Sequence, residues 1–194
     1  MTNRESGLSA LATALTGWAP LWGLHIEDNR IPNILVKVEA SMENLADWSV
    51  LGDWIGMQLK PDWNLPWGMM PRIVGLPAQE NFDMRKALTA AAANYGCPML
   101  WADGLTADAP EVDSFEGELV FGEAELAERY AELAPTGTVD LVVIGCPQAS
   151  VGEVRATAAA ARSRMELGQR IPDRRLWVFT SGYNYDLLDA DGTV

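Results

Sequence analysis

Histidine occurs once in the 194 residues, at His25, and cysteine twice, at Cys97 and Cys146. A single imidazole excludes a His-rich zinc site, and no Ser/His/Asp triad with a spare histidine can be assembled. Two thiols in separate segments make no disulfide framework and fit a reducing compartment. Basic residues are scarce as well: 14 Lys and Arg against 27 Asp and Glu leave a formal charge of −13. DNA, RNA and anionic membranes need Lys and Arg to displace phosphate counterions, so no nucleic-acid and no membrane partner is expected. No stretch approaches the ~18 uncharged apolar residues of a membrane span, and the N-terminus has no apolar leader core. We read the chain as cytoplasmic. Gly145 and Gly152 lack the spacing of a dinucleotide fingerprint or a Walker loop, and no self-repeat of solenoid or propeller length is present.

What is present is an ordinary globular composition, 48% hydrophobic and 21% charged, with eight tryptophans. A chain of this length buries roughly 70% of its unfolded surface, enough for one real core or two small ones. Ser9 to Thr16 has helical spacing and is stopped by Gly17 and Pro20. Ile34 to Glu39 reads as a half-buried strand, and Asp47 to Leu59 as a helix with Trp48, Leu51, Trp54, Ile55 and Leu59 on its core face. Lys60 to Pro71, rich in Pro and Trp, reads as an ordered loop, with a possible sub-boundary near 60–80. Met70 to Leu76 is a short strand candidate. Asn81 opens a helix that runs to Asn94 and ends at Gly96, its Ala-rich face suited to packing on a sheet.

Cys97 to Trp101 and Glu118 to Phe121 read as further strands, and Glu123 to Leu133 as an amphipathic helix. Val139 to Ile144, interrupted only by Asp140, is the clearest strand, with the near-continuous apolar run of a parallel strand covered on both faces. Val151 to Leu167 and Asn184 to Asp189 then read as helices around a strand at Leu176 to Phe179. This alternation gives an α/β fold, layered, with a mostly parallel sheet and helical crossovers.

Open α/β sheets bind ligands past the carboxyl ends of their strands, where Gly145-Cys146-Pro147-Gln148-Ala149-Ser150 lies. Ser150 and Glu153 match a capping box. A thiol near a helix N-terminus feels positive partial charge, so the residues alone leave Cys146 as a ligand or nucleophile, or as a small core residue. Cys97 reads as core. Thr180-Ser181 follows the last strand, where hydroxyls and backbone amides could hold an anion or simply cap a helix.

Taken together these residues resemble the large subunit of the aconitase X family, which includes phosphomevalonate dehydratase and cis-3-hydroxyproline dehydratase. Thr2-Asn3-Arg4, then Ala14 to Gly17 with Pro20 and Gly23-Leu24-His25, is similar to the family's "TNR … ALTGxxPxxGLH". Glu27 to Arg30 parallels "ENR", and Leu51-Gly52 with Ile55-Gly56 parallels "LGxxIG". Lys86-Ala87-Leu88 through Gly96 resembles the "LKALGAAxxxSG" helix, Gly104-Leu105-Thr106 "GVTPEA", and Asp140 to Ser150 "DLVxIGCPHxS". The likeness runs in order from Thr2 to about Ser181.

The resemblance implies a partial aconitase X type catalytic domain over residues 1–194, aconitase-domain-like in fold, and an iron-dependent hydro-lyase acting on a small hydroxy acid. In such an enzyme a cysteine-held iron or iron–sulfur cluster polarises the substrate hydroxyl while a base takes a proton from the adjacent carbon. It makes Cys146 a metal ligand and Lys86 a catalytic residue. Asn3, Arg4, His25, Thr106, Ser150, Thr180 and Ser181 become substrate-binding residues, and a small swivelling subunit together with further large-subunit segments are implied as partners. Gln148 and Trp101 stand where the family has histidines, and Ser181-Gly182 replaces "TSR". One cysteine does not hold a cluster, so activity is expected to need those partners. A non-catalytic relative that keeps a small-anion pocket or an interaction surface is the other reading.

Overall fold

The computed structural model describes residues 7–59, 68–78, 81–170 and 175–193. The chain divides into two compact units, Met1–Glu132 and Leu133–Val194. Strands β1 (Ile34–Val38), β2 (Pro71–Val74), β3 (Trp101–Ala102) and β4 (Gly117–Phe121) form the sheet of the first unit, in the order β3-β2-β1-β4. Each neighbouring pair is parallel, with Val36 opposite both Ile73 and Leu119. Strands β1 and β2 pair directly, and the division between the units falls after Glu132.

Helix α1 (Gly7–Thr16) precedes this sheet. It has no buried residue, and Leu8, Leu11 and Leu15 are exposed. Helix α2 (Leu45–Gln58) joins β1 to β2, and α3 (Phe82–Asn94) lies between β2 and β3. Parallel strands linked in this way take right-handed crossovers, and successive steps in one direction put both helices on the same face. Ile34, Val36 and Val38 alternate inward to meet them, forming one core with Trp48, Leu51, Ile55, Ile73, Leu88 and Phe121. Helix α4 (Glu123–Leu133) adds Leu126 to that core.

The α2 start is set by Asn44, whose side chain accepts from the Asp47 amide while Asp47 returns a bond to the Asn44 N–H. On α3, Ala91 and the Ala92 carbonyl face α2, while Ala87 packs against the core cluster that holds the strand residues. Gly52 and Gly56 leave no room for a side chain between α2 and the backbone of α3 at Leu88 and Ala92. Small residues on both helices are what allow so close an approach, and sheet packing does not require them.

The second unit holds β5 (Val142–Ile144) paired parallel with β6 (Leu176–Val178), followed respectively by α5 (Val151–Glu166) and α6 (Gly182–Ala190). Ala149, Val154 and Leu188 are its buried centre, with Ile144, Val151 and Val178 packed against them. The expected strand over Val139–Ile144 is therefore shorter than its apolar run, and it is not covered on both faces. Val143 is 53% exposed and its register partner Trp177 48%, because the residues that alternate inward, Ile144 and Val178, face the cluster of α5 and α6. The expected strand at Cys97–Trp101 likewise shrinks to Trp101–Ala102, since Cys97 to Leu100 pair with no neighbour in the sheet.

Candidate functional site

Within the second unit, Cys146, Ser150, Thr180 and Ser181 gather at one place, just past the carboxyl ends of β5 and β6 and at the starts of α5 and α6. The strands are held together there by main chain. The Phe179 N–H donates to Ile144 O at 2.8 Å, and the Ala149 N–H donates to Phe179 O at 2.8 Å. Gly145 sits between them at φ +123°, with its missing Cβ 2.3 Å from Phe179 O, so only glycine lets the two strand ends meet. Cys146 follows in the loop and is exposed, joined to Pro147 by a cis peptide bond. Of the two readings that the residues alone leave open for Cys146, a small core residue does not fit this exposed placement.

The hydroxyls at this end have local structural tasks. Ser150 caps α5, its oxygen accepting the Glu153 N–H at 3.1 Å while Glu153 accepts the Ser150 N–H at 2.7 Å. Ser181 caps α6 by accepting the Asn184 N–H at 3.2 Å. Thr180 Oγ1 donates to Ala149 O at 2.6 Å. Asn184 Nδ2 donates to the same oxygen at 3.3 Å and to Thr180 Oγ1 at 3.2 Å. Sequence reasoning missed Asn184. Its signal was its place, four residues after Thr180 and three after a helix cap, where a short amide can reach back to the preceding loop.

The other expected residues fall in the first unit. His25 ends a short turn, Gly23–His25, and is half-buried. That turn is held by the next one, Glu27–Arg30: Asn29 Nδ2 donates to Gly23 O at 2.8 Å, Arg30 Nε to Leu24 O at 2.7 Å, and Arg30 to His25 O at 3.2 Å. Trp101 Nε1 donates to Arg30 O at 2.8 Å, so the indole that stands at an expected histidine position ties this module to β3.

Thr106 closes the turn after β3, its hydroxyl accepting the Ala102 N–H at 3.1 Å. It lines a cavity of about 260 Å³ with Arg72, Asp103, Asp108 and Glu111. Arg72 and Asp103 form a two-point ion pair at 2.9 and 3.0 Å, and that hydrogen-bonded carboxylate raises the guanidinium pKa further above its usual range. Lys86 lies on α3 with Nζ 3.7 Å from Asp83. Cys97 is buried, its thiol donating to Met99 O at 3.3 Å, as a core cysteine would be. Asn3 and Arg4 lie outside the described residues. No helix among the described residues is long and apolar enough to cross a membrane.

Residues 32–131 match the family model of the aconitase X second domain. The phosphomevalonate dehydratase large subunit of Thermococcus kodakarensis is 32% identical over 165 residues, covering 84% of this chain and 41% of that protein. The large subunit of the same name from Methanothermobacter thermautotrophicus is 33% identical, covering 98% and 47%. The cis-3-hydroxy-L-proline dehydratase of Pseudomonas aeruginosa is 32% identical, covering 84% and 29%. The crystal structure of Thermococcus kodakaraensis aconitase X in its holo-form superposes with a TM-score of 0.83 at 30% identity, over 99% of this chain and 47% of that one. The chain thus spans less than half the length of the relatives it matches. Its relatives are dehydratases, its fold is theirs, and it belongs to the aconitase X family.

Proposed function

We propose that this chain forms the central and C-terminal part of an aconitase X type large subunit, a component of a hydro-lyase acting on a small hydroxy acid in the cytoplasm. The observation that carries this reading is the exposed Cys146 thiol at the carboxyl end of β5, beside Thr180 and Ser181, in a chain whose relatives are dehydratases. Dehydration of a hydroxy acid takes a proton from one carbon and hydroxide from its neighbour, leaving a double bond. Lys86 is the group we assign to catalysis. Asn3, Arg4, His25, Thr106, Ser150, Thr180 and Ser181 are those we assign to the substrate, with the cationic side chains matched to its carboxylate or phosphate.

The donor set does not by itself fit an iron ion or cluster. Among the described residues no group of three or more His, Cys, Asp or Glu side chains could hold a metal. Cys97 is buried, with its thiol already donating to Met99 O. Cys146 therefore contributes one thiolate, and a cluster takes its other ligands from polypeptide beyond these residues, with a small swivelling subunit as a further partner.

The test is anaerobic iron and sulfide analysis of the chain alone and mixed with the remainder of an aconitase X large subunit and its small subunit. Iron retained only in the mixture, and lost with Cys146→Ala, is the expected result. Iron content indifferent to Cys146→Ala would remove the ligand assignment. Absence of iron from both samples would favour a non-catalytic relative, in which Trp101 serves as the structural tie to Arg30 that its indole already makes.

A further inference from the structure

Cys146 is carried by a loop without regular structure, and a thiolate there has a defined position only if both ends of the loop are fixed. The near end is fixed by β5, whose Ile144 carbonyl accepts the Phe179 N–H. At the far end Ala149 is 1% exposed, and both of its main-chain polar groups are engaged. Its N–H donates to Phe179 O, and its carbonyl accepts from both the Thr180 hydroxyl and the Asn184 amide. A carbonyl only accepts, so the Asn184 nitrogen is the atom that faces it. The same nitrogen donates to Thr180 Oγ1 and keeps that hydroxyl turned toward Ala149.

Neither side chain is needed to start α6. That helix is already capped by Ser181, which takes the Asn184 main-chain N–H. The Thr180 hydroxyl and the Asn184 amide are therefore surplus to helix formation, and both converge on one carbonyl in the loop that bears the thiol. We propose that Thr180 and Asn184 are positioning residues that lock the Cys146 loop at Ala149. The inference rests on the reading of Cys146 as a ligand for its purpose, but its geometry stands without a metal.

The experiment uses the full chain, reduced and metal-free, and follows alkylation of Cys146 by iodoacetamide through peptide mass spectrometry. Buried Cys97 in the same sample reports global opening. Thr180→Val deletes the hydroxyl, and Asn184→Asp keeps the shape but removes the donor. The new acid lies in the first turn of α6, where the helix dipole favours it, and the variant's melting temperature and Cys97 protection verify that it is folded. Thr180→Ser restores the hydroxyl.

Loss of either donor is expected to raise the Cys146 rate constant by roughly threefold or more. Thr180→Ser should stay close to the parent, with Cys97 protection and the melting temperature essentially unchanged throughout. Unchanged Cys146 kinetics in a folded Asn184→Asp chain would overturn the proposal. So would a rise that Thr180→Ser fails to reverse, or one that tracks loss of the fold. The two readings fail separately, because iron indifferent to Cys146→Ala removes the ligand role without altering these rates.

Discussion

A Cβ built on Gly52 would lie 2.2 Å from the main-chain oxygen of Leu88, and one on Gly56 2.9 Å from that of Ala92. Two helices of the first unit thus touch backbone to backbone. The repeated glycines of Leu51-Gly52-Asp53-Trp54-Ile55-Gly56 are explained by packing, with Leu51 and Ile55 fully buried on the adjoining face. The obstacle at Gly52 is a peptide oxygen, which cannot swing aside as the end of a side chain can. Gly52→Ala is expected to destabilise the chain by about 3 kcal/mol, the upper end of ordinary overpacking. Gly182→Ala, at the first residue of α6 with nothing within 4 Å, should be neutral or stabilising by roughly 0.5 kcal/mol. Urea midpoints at an unchanged slope would distinguish the two.

Gly145 makes the same point at the candidate site. Its φ of +123° and the Phe179 oxygen 2.3 Å from its missing Cβ leave alanine no position that spares the β5–β6 pairing. Gly145→Ala should loosen the second unit and leave the first intact. Hydrogen exchange would show faster exchange across residues 142–193 with protection of β1 and α2 retained. Uniform deprotection of both units would contradict the separateness of their two cores.

The sequence made the helices legible because their spacing and their stop and start residues agree: Gly17, Asn81 and Ser150 all bound helices where local chemistry puts them, whereas α2 starts at Leu45 behind an Asn44 cap, two residues before the Asp47 that its spacing suggests. The strands were less legible. Val139 to Ile144 is apolar but for Asp140, yet it forms only Val142–Ile144 with one covered face, because periodicity reports what a strand is able to bury and not what lies against it. The site was legible as motifs and illegible as bonds. Ser150 and Thr180 could be singled out as hydroxyls after strands, but that Thr180 donates to Ala149 and Asn184 steadies it depends on two chain segments meeting. A single sequence carries no direct signal of that meeting.

Tyr130 and Asp47 couple α4 to the start of α2. The phenol donates to Asp47 Oδ1 at 2.7 Å, while Oδ2 accepts the Glu43 and Asn44 N–H groups. Burial first, and then the bond to Asp47, push the Tyr130 pKa up to about 12. A phenol titrating near 10 in the unfolded chain and near 12 in the folded one stabilises the fold fully below pH 10, and this contribution is lost as the pH rises through 12. Because the ring is 38% exposed, Tyr130→Phe should cost only about 1 kcal/mol at neutral pH. It should also remove part of the loss of stability between pH 10 and 12. Parallel urea titrations of parent and variant across that window check both expectations, and an unchanged alkaline slope in the variant would count against the coupling.

Arg129 makes the second tie between the same two helices. Its Nε donates to Asp53 on α2, its Nη1 to Glu132, and its Nη2 to the Tyr95 hydroxyl at 3.4 Å. The hydrogen bond to Asp53 is the main reason its pKa is raised, and the side chain is only 10% exposed against 17% for Asp53. Replacing Arg129 with methionine keeps much of the packing but leaves Asp53 as an uncompensated, mostly buried carboxylate directly beside Gly52. Breaking one side of such a pair costs more than the pair contributes, so Arg129→Met should destabilise by about 3 kcal/mol. Asp53→Asn in the Arg129→Met background should recover part of that loss, because the amide no longer carries a charge that needs a partner. A double-mutant cycle by urea denaturation measures this directly. If the two substitutions simply add, Asp53 is solvated well enough to stand alone, and α4 is held to α2 by Leu126 and the Tyr130 bond instead.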